Sequence, residues 1–409
     1  MVRLLVEQLS LKNFRICQEV DLVPSKGINI LQGQNAQGKT SVLEAIWLLA
    51  TTRSLRAQRE GEMVAQGESG ASVSATVLTE REGHVDLQVN VQCNDRKSVI
   101  VNGSKRTRVV DLLGCLNVVF FSASDLPLLD GEPADRRHFL NMEISQISPR
   151  YVHDFAQYRR VLEQRNRLLK EIRDHRASIE SSGLEEWTLQ LVSYGAVISH
   201  KRSEYLRQLS PLAREAHRDL TDGLEDLELR YVPGFALPEW PVSVGESRSE
   251  GWYLDDPGEA DDDTMAGYVP APEQIATAFT TQLEQVRHDE LRRGTTLLGP
   301  QRDDIQFMIN GRNARLYGSQ GQQRTAALAV KLAEYRLIEQ QVGEPPVLLL
   351  DDVMSDLDDA RRTHLMHWTN AANQVFITCT NVRFLPAEIR DRAAIYRMEQ
   401  GALTAWRDS

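Results

Sequence analysis

Three short stretches carry residues whose types and spacing suit work on a nucleoside triphosphate. The first is Gly33-Gln34-Asn35-Ala36-Gln37-Gly38-Lys39-Thr40-Ser41, set between the apolar run Ile28-Asn29-Ile30-Leu31 and a periodic segment from Val42 to Ala50. Strand, glycine-rich turn and helix is the setting in which backbone N–H groups turn inward around phosphate oxygens, aided by the helix dipole. Lys39 then reaches the outer phosphates, and the Thr40 hydroxyl ligates Mg²⁺. The second stretch is Val347-Leu348-Leu349-Leu350-Asp351-Asp352. Its apolar strand, expected beside the P-loop strand in the same sheet, delivers the Asp351 carboxylate to the Mg²⁺ shell, and Asp352 is placed to hold or deprotonate the attacking water. The third is Ser319-Gln320-Gly321-Gln322-Gln323-Arg324, 28 residues before Val347. A Ser cap, a glycine and the first-turn N–H groups make an anion site, although a plain capped helix fits the same residues.

The elements that must position these residues follow from periodicity. Leu4–Phe14 and Val20–Leu31 read as two strands. Val73–Leu78, Val85–Val91 and Ser98–Val101 alternate at period two, with Asn102-Gly103 as a hairpin signal. Asn117–Phe121 reads as a buried strand. From Pro133 to about Leu220 the apolar residues recur at three- and four-residue spacings, with Gly183 between two long runs, which predicts an antiparallel helical hairpin or small bundle. Helical pattern returns at Gln274–Arg292. Thr295–Ile309 reads as two strands joined at a polar corner, and Asn310-Gly311 is a second hairpin signal. An amphipathic helix over Ser319–Ile338, the strand Val347–Leu350, a helix over Asp358–Thr369, a strand over Val375–Thr378 and a hairpin over Ala394–Trp406 complete the chain. The two halves of the triphosphate site are about three hundred residues apart in the sequence. The middle is therefore an insertion between two halves of one core, expected as 1–132, 133–293 and 294–409.

At 409 residues the chain exceeds one ordinary core, and its 41% apolar and 26% charged composition is that of a globular protein. No apolar run is long enough to span a bilayer, and no signal peptide is apparent, so no membrane partner is expected and a cytoplasmic location is. The four cysteines, Cys17, Cys93, Cys115 and Cys379, contain no C-x-x-C pair, which argues against a zinc site and a disulfide framework. The net charge of −11 suits a nucleic-acid binder poorly until it is located: Gly223–Glu273 holds thirteen acids and two bases, the whole of the excess. Most of that stretch, about 237–272, reads as an acidic loop. The remainder is neutral overall and free to present a basic face. Arg159-Arg160, Arg165 and Arg167 read as a solvated helix face rather than a DNA contact.

The chain order of the three motifs, the P-loop, the capped Ser319–Arg324 helix and then Val347–Asp352 with Ser355-Asp356-Leu357-Asp358 just after it, is that of ABC-type ATPases. The chain further resembles the RecF family of the SMC-like branch. The resemblance rests on Leu11–Arg15, Gly33–Ser41, Thr52-Arg53-Ser54, Asp125–Leu140, Leu298–Asp304, Ser319–Arg324 and Leu348–Asp358, and covers essentially the whole length outside the acidic insertion. It implies an α/β fold: an ABC-type P-loop ATPase head, a mixed sheet with helices, plus an inserted helical lobe without a long coiled coil. It implies ATP and Mg²⁺ as cofactors, slow ATP hydrolysis, and an ATP-dependent homodimer that binds DNA at single-strand gaps and, with RecO and RecR, assists RecA loading. Residue by residue, Gly33, Gln34, Asn35, Ala36, Gln37, Gly38, Lys39, Thr40 and Ser41 bind nucleotide, and Thr40 and Asp351 hold the metal. Lys39, Asp352 and Ser319 are catalytic. Ser319 and Gly321 act in trans on the partner's ATP, and Asp356 and Asp358 line the dimer interface. Gln301 stands where the family usually has His, and Asn141 where Asp is usual. Thr378-Cys379-Thr380 lacks the His that transporter cassettes place near the γ-phosphate.

Candidate DNA contacts are Lys12, Arg15, Arg53, Arg56, Lys105, Arg106 and Arg108, bases of the P-loop half able to hold a duplex backbone by charge alone. Arg136, Arg137 and Arg302 are better read as ion-pair partners of Asp135, Asp303 or Asp304. Two other readings remain. A cassette driving a membrane partner calls for L-S-G-G-Q and the missing His. A P-loop kinase or GTPase calls for its acidic motif close to the P-loop and for N-K-x-D.

Overall fold

The computed structural model describes residues 4–57, 59–94, 96–122, 127–178, 182–237, 268–353, 365, 369 and 372–406. Two six-stranded sheets and a helical layer are stacked around the P-loop helix. The first sheet is antiparallel, with β1 (Leu5–Phe14), β2 (Cys17–Leu22), β4 (Gly70–Thr79), β5 (Gly83–Gln92), β6 (Lys97–Val101) and β7 (Ser104–Lys105) in the order β2-β1-β4-β5-β6-β7. The second contains β3 (Gly27–Gln32), β8 (Val118–Ser122), β12 (Val347–Asp351), β13 (Gln374–Cys379), β14 (Ala394–Glu399) and β15 (Ala402–Ala405). Its order is β15-β14-β3-β13-β12-β8, parallel except for the β14–β15 hairpin.

The parallel strands are apolar on both faces because both faces are covered. Ile28, Ile30, Leu348, Leu350, Val375 and Ile377 face one core, shared with the helical lobe. Leu31, Val347, Leu349 and Phe376 face a second core, shared with the antiparallel sheet. Between the two sheets lies α1 (Lys39–Thr51), buried around nearly its whole circumference. That explains why Val42 to Ala50 is apolar at every position but the buried Glu44, where an amphipathic stripe would mark a surface helix.

The helical layer contains α2 (Pro127–Asp130), α3 (Pro133–Ile147), α4 (Pro149–Arg173), α5 (Leu184–Leu220) and α6 (Pro272–Arg293). Gly183, at φ 70°, caps the start of α5 and turns the chain back along α4, as its position predicts. A small sheet of β9 (Leu227–Val232), β10 (Asp304–Ile309) and β11 (Arg312–Asn313) follows, then α7 (Ala314–Tyr317) and α8 (Gln320–Val342). Both Asn-Gly signals form tight turns, with φ of 51° and 71° at Asn102-Gly103 and 49° and 73° at Asn310-Gly311.

Four expectations change. Val20–Leu31 is two strands in different sheets, because Pro24-Ser25-Lys26 interrupts it. Thr295–Ile309 contains one strand, since Pro300–Arg302 forms a short 3₁₀ turn anchored by the buried Asp303. The stretch between the helical pattern ending near Leu220 and the acidic loop, for which no element was expected, contains β9, paired in register with β10. The strand carrying Asp351 is not adjacent to the P-loop strand: β13 lies between them. Most of the acidic loop, the Asp358–Thr369 helix, Asp356 and Asp358 lie outside the described residues. No helix among the described residues is long and apolar enough to cross a membrane.

Candidate nucleotide-binding site

β3 ends at Gln32, and the chain turns through Gly33–Gly38 into α1. Two glycines are required here. A Cβ at Gly33 would fall 2.3 Å from the Met398 carbonyl oxygen, and Gly38 holds φ 101° beside Met398 and Cys17. The loop is braced by the β14–β15 turn: Gly401 N–H donates to the Gln37 carbonyl at 3.0 Å and Gln400 N–H to Gln37 Oε1 at 2.6 Å. Lys39 is 7% exposed and its Nζ donates to the carbonyls of Gly33 (2.7 Å) and Gln34 (3.0 Å), folded back over its own loop. Burial lowers its pKa, opposed by the Asp352 and Asp351 carboxylates.

The Thr40 hydroxyl donates to Asp351, with Oδ1 at 2.9 Å and Oδ2 at 3.0 Å. Two hard oxygens so placed fit one Mg²⁺: neighbouring ligands of an octahedron with bonds of about 2.1 Å are about 3.0 Å apart. Thr378, at the end of β13, donates to Asp351 Oδ1 at 2.7 Å and accepts from the Asp352 N–H at 2.9 Å. Asp352 takes φ 55°, a left-handed conformation uncommon for a residue with a side chain. Thr378, which drew attention in the sequence only for not being His, thus orients the Asp351 carboxylate and fixes the backbone of Asp352. Arg56 Nη2 approaches Asp351 Oδ2 at 3.4 Å. Arg56, predicted as a DNA contact, thus lies beside the candidate nucleotide site.

Ser319 caps α8, accepting from Gln322 N–H at 3.2 Å while its own N–H donates to Gln322 Oε1 at 2.9 Å. Gln322 Nε2 continues to Glu225 at 2.8 Å, and Gln323 Nε2 to the Ala314 carbonyl at 2.9 Å. None of these bonds goes to the P-loop. Ser319 is exposed at the head of its helix.

The other predicted basic residues divide. Arg15 is committed to structure: Nε and Nη2 form a fork on the buried Glu44 at 3.0 and 2.7 Å, and Nη1 donates to the Glu62 carbonyl. Lys12 and Lys105 point from one outward face of the antiparallel sheet. Register runs from Lys12 through Ser72 and Asn90 to Ser98, and Lys105 sits opposite Ile100. Arg106 and Arg108 follow, both exposed, with Arg108 3.2 Å from Asp111. The ion-pair reading holds for Arg136, on Asp304, while Arg137 donates to the Asp303 carbonyl at 2.9 Å and Arg302 is exposed. Asn141 Oδ1 accepts from Tyr151 (2.7 Å) and Arg202 (2.8 Å), and Gln301 Oε1 accepts from Tyr158, so both departures from the family pattern bond buried side chains.

Fold and site together define the head of an ABC-type P-loop ATPase. The sequence model described as "RecF/RecN/SMC N terminal domain" matches residues 5–404. Proteins named "DNA replication and repair protein RecF" are similar over nearly the full length. The one from Oceanobacillus iheyensis is 36% identical over 398 residues, covering 97% of this chain and 99% of its own. The one from Symbiobacterium thermophilum is 40% identical over 400 residues, covering 97% and 96%. Among solved structures, the recombination mediator protein RecF of the RecFOR pathway superposes in its ATPrS form with TM-score 0.85 and in its ATP form with 0.82. Each of the two is 30% identical and covers 99% of this chain, and 99% and 98% of its own. An Smc head from Pyrococcus furiosus, 16% identical with TM-score 0.52, covers 99% of this chain and 96% of its own and shares the fold. The chain belongs to the RecF family.

Proposed function

We propose that the chain is an ATP-dependent DNA-binding protein of recombinational repair and replication restart. Two copies close on ATP and Mg²⁺, clamp DNA at single-strand gaps and, with RecO and RecR, assist RecA loading. The observation that carries this reading is the Thr40–Asp351 contact, which joins the phosphate loop to the carboxylate strand. P-loop N–H groups and Lys39, released from the Gly33 and Gln34 carbonyls, hold the phosphates. Thr40 and Asp351 hold Mg²⁺, which neutralises charge building on the phosphates. Asp352 orients the attacking water and accepts its proton. Ser319 and the first N–H groups of α8, exposed and unconnected to their own P-loop, complete the pocket of a second copy. Hydrolysis is slow and DNA stimulates it. Lys12, Lys105, Arg106 and Arg108 meet the DNA backbone by charge.

Sizing the protein with ATP, with ADP and as Lys39→Met, with and without gapped DNA, tests this reading. A dimer that needs both ATP and Lys39, with hydrolysis raised by DNA, is the expected result. A monomer under every condition overturns it.

A further inference from the structure

Along α4, Ala156, Arg159, Arg160, Glu163, Arg167 and Lys170 form one exposed stripe, while Tyr158, Val161, Arg165 and Leu169 face the core. A merely solvated stripe interleaves acids that pair with its bases. Arg167 does have such a partner in Glu171, at 3.0 Å. Arg159, Arg160 and Lys170 have no ion pair among the described residues; of the acids along this face, Glu171 and Asp174 are taken by Arg167 and Arg173, leaving Glu163.

The fold brings a further cation to this stripe. Arg53, at the exit of α1, is pushed below the ordinary arginine range by desolvation and then by the Arg159 guanidinium, opposed by Glu60. Glu60 is already engaged by Lys97 Nζ at 2.5 Å. The carboxylate that opposes this repulsion, Glu60, thus serves another cation, and the Arg53 and Arg159 charges bear on each other. The turn Val109–Leu112, just after Arg108, packs on α4, so the β6–β7 hairpin bases approach the same helix. A groove of about 1000 Å³ opens along the stripe, and among its lining residues five bases, from Arg159 to Arg176, outnumber three acids, Glu163, Glu171 and Asp174.

We propose that this face of α4 is a second DNA docking surface, contacting backbone phosphates through Arg159, Arg160 and Lys170 and continuous with Arg53. The inference rests on the DNA-binding reading above. From Arg159 to Lys170 the helix rises about 16 Å, more than the roughly 12 Å width of a major groove, so one helix reaches phosphates on both of its rims. Contact is to the backbone and independent of sequence.

The test compares the full chain with an Arg159→Ala/Arg160→Ala/Lys170→Ala variant, using a 30-base-pair duplex, ATP and Mg²⁺, between about 50 and 200 mM salt. Three lost phosphate contacts make the slope of log K against log salt less negative by about 2.7, and the salt-induced loss of affinity shrinks by roughly 1.6 decades. Replacing the same three positions with Lys or Arg of the other kind restores the slope, and ATP binding is unchanged throughout. Wild-type slope and affinity in the alanine variant overturn the proposal while leaving the DNA-binding reading intact. A wild-type chain that binds no duplex overturns both.

Discussion

Thr40 donates its hydroxyl to Asp351 at 2.9 Å, across 311 residues of chain. That bond occupies the two oxygens from which Mg²⁺ coordination is expected. Thr40→Ala is therefore expected to weaken Mg²⁺-dependent ATP binding by about tenfold or more, about 1.4 kcal/mol, with little effect on binding measured in EDTA. Titration calorimetry with and without the metal checks this. Equal losses in both conditions contradict the assignment.

Lys39 Nζ spends its hydrogen bonds on the carbonyls of Gly33 and Gln34. Lys39→Met leaves the loop folded but removes the ammonium that the phosphates would recruit. ATP at a hundred times its dissociation constant stabilises the wild-type chain by about 2.7 kcal/mol. That gain is expected to vanish in the variant, as read by thermal unfolding with and without nucleotide.

Ser319 serves its own helix cap and nothing on its own P-loop. Ser319→Arg is expected to spare ATP binding yet lower turnover on the order of a hundredfold, the scale of removing one transition-state donor. Binding and steady-state hydrolysis measured on the same preparation separate the two effects. Unchanged turnover would remove the trans role.

Arg202 and Asp303 are 1% and 0% exposed at the side chain and lie 2.6 Å apart, joining α5 to the Pro300 turn. Breaking this pair as Arg202→Met leaves a buried carboxylate whose remaining donors are Tyr231 and the Gly234 N–H, at an expected loss of about 3–5 kcal/mol. Adding Asp303→Leu recovers part of it. Urea unfolding of the single and double variants checks the pair.

Glu334 is fully buried, with Lys331 Nζ at 2.9 Å and Glu143 close by. Burial, and then the Glu143 charge, hold its pKa well above the usual carboxylate range. The folded state keeps a proton that the unfolded chain releases near pH 4.3. Its stabilising contribution is complete below that pH and declines as pH rises through the folded value. Between about pH 5 and 8 the wild-type Tm is expected to fall more steeply than that of Glu334→Gln. Parallel Tm curves would contradict this.

The strand–loop–helix at Gly33–Ser41, the Val347–Asp351 strand and the capped α8 were legible because each is a local pattern whose chemistry is written in adjacent residues. Partners set by tertiary packing were not. Nothing near Arg56 announces Asp351, and nothing near Arg15 announces Glu44, yet those contacts decide what each arginine can reach. β9 escaped notice because six residues in an acidic stretch become a strand only when β10, some seventy residues later, pairs with them. Arg159 looked like solvent decoration for the same reason: its relation to Arg53 is made by the fold.

β3 has β13 on one side and β14 on the other, and the turn at Gln400-Gly401 pins the loop that follows it. Both neighbours come from beyond residue 373. During synthesis the strand that begins the phosphate loop must wait, both edges open until β13 is made and one until β14 follows, and its loop is pinned only when the ribosome has delivered Gly401. Over that interval a nascent chain carries a bare, apolar β-edge, open to misassociation and to chaperones, before it can grip a triphosphate.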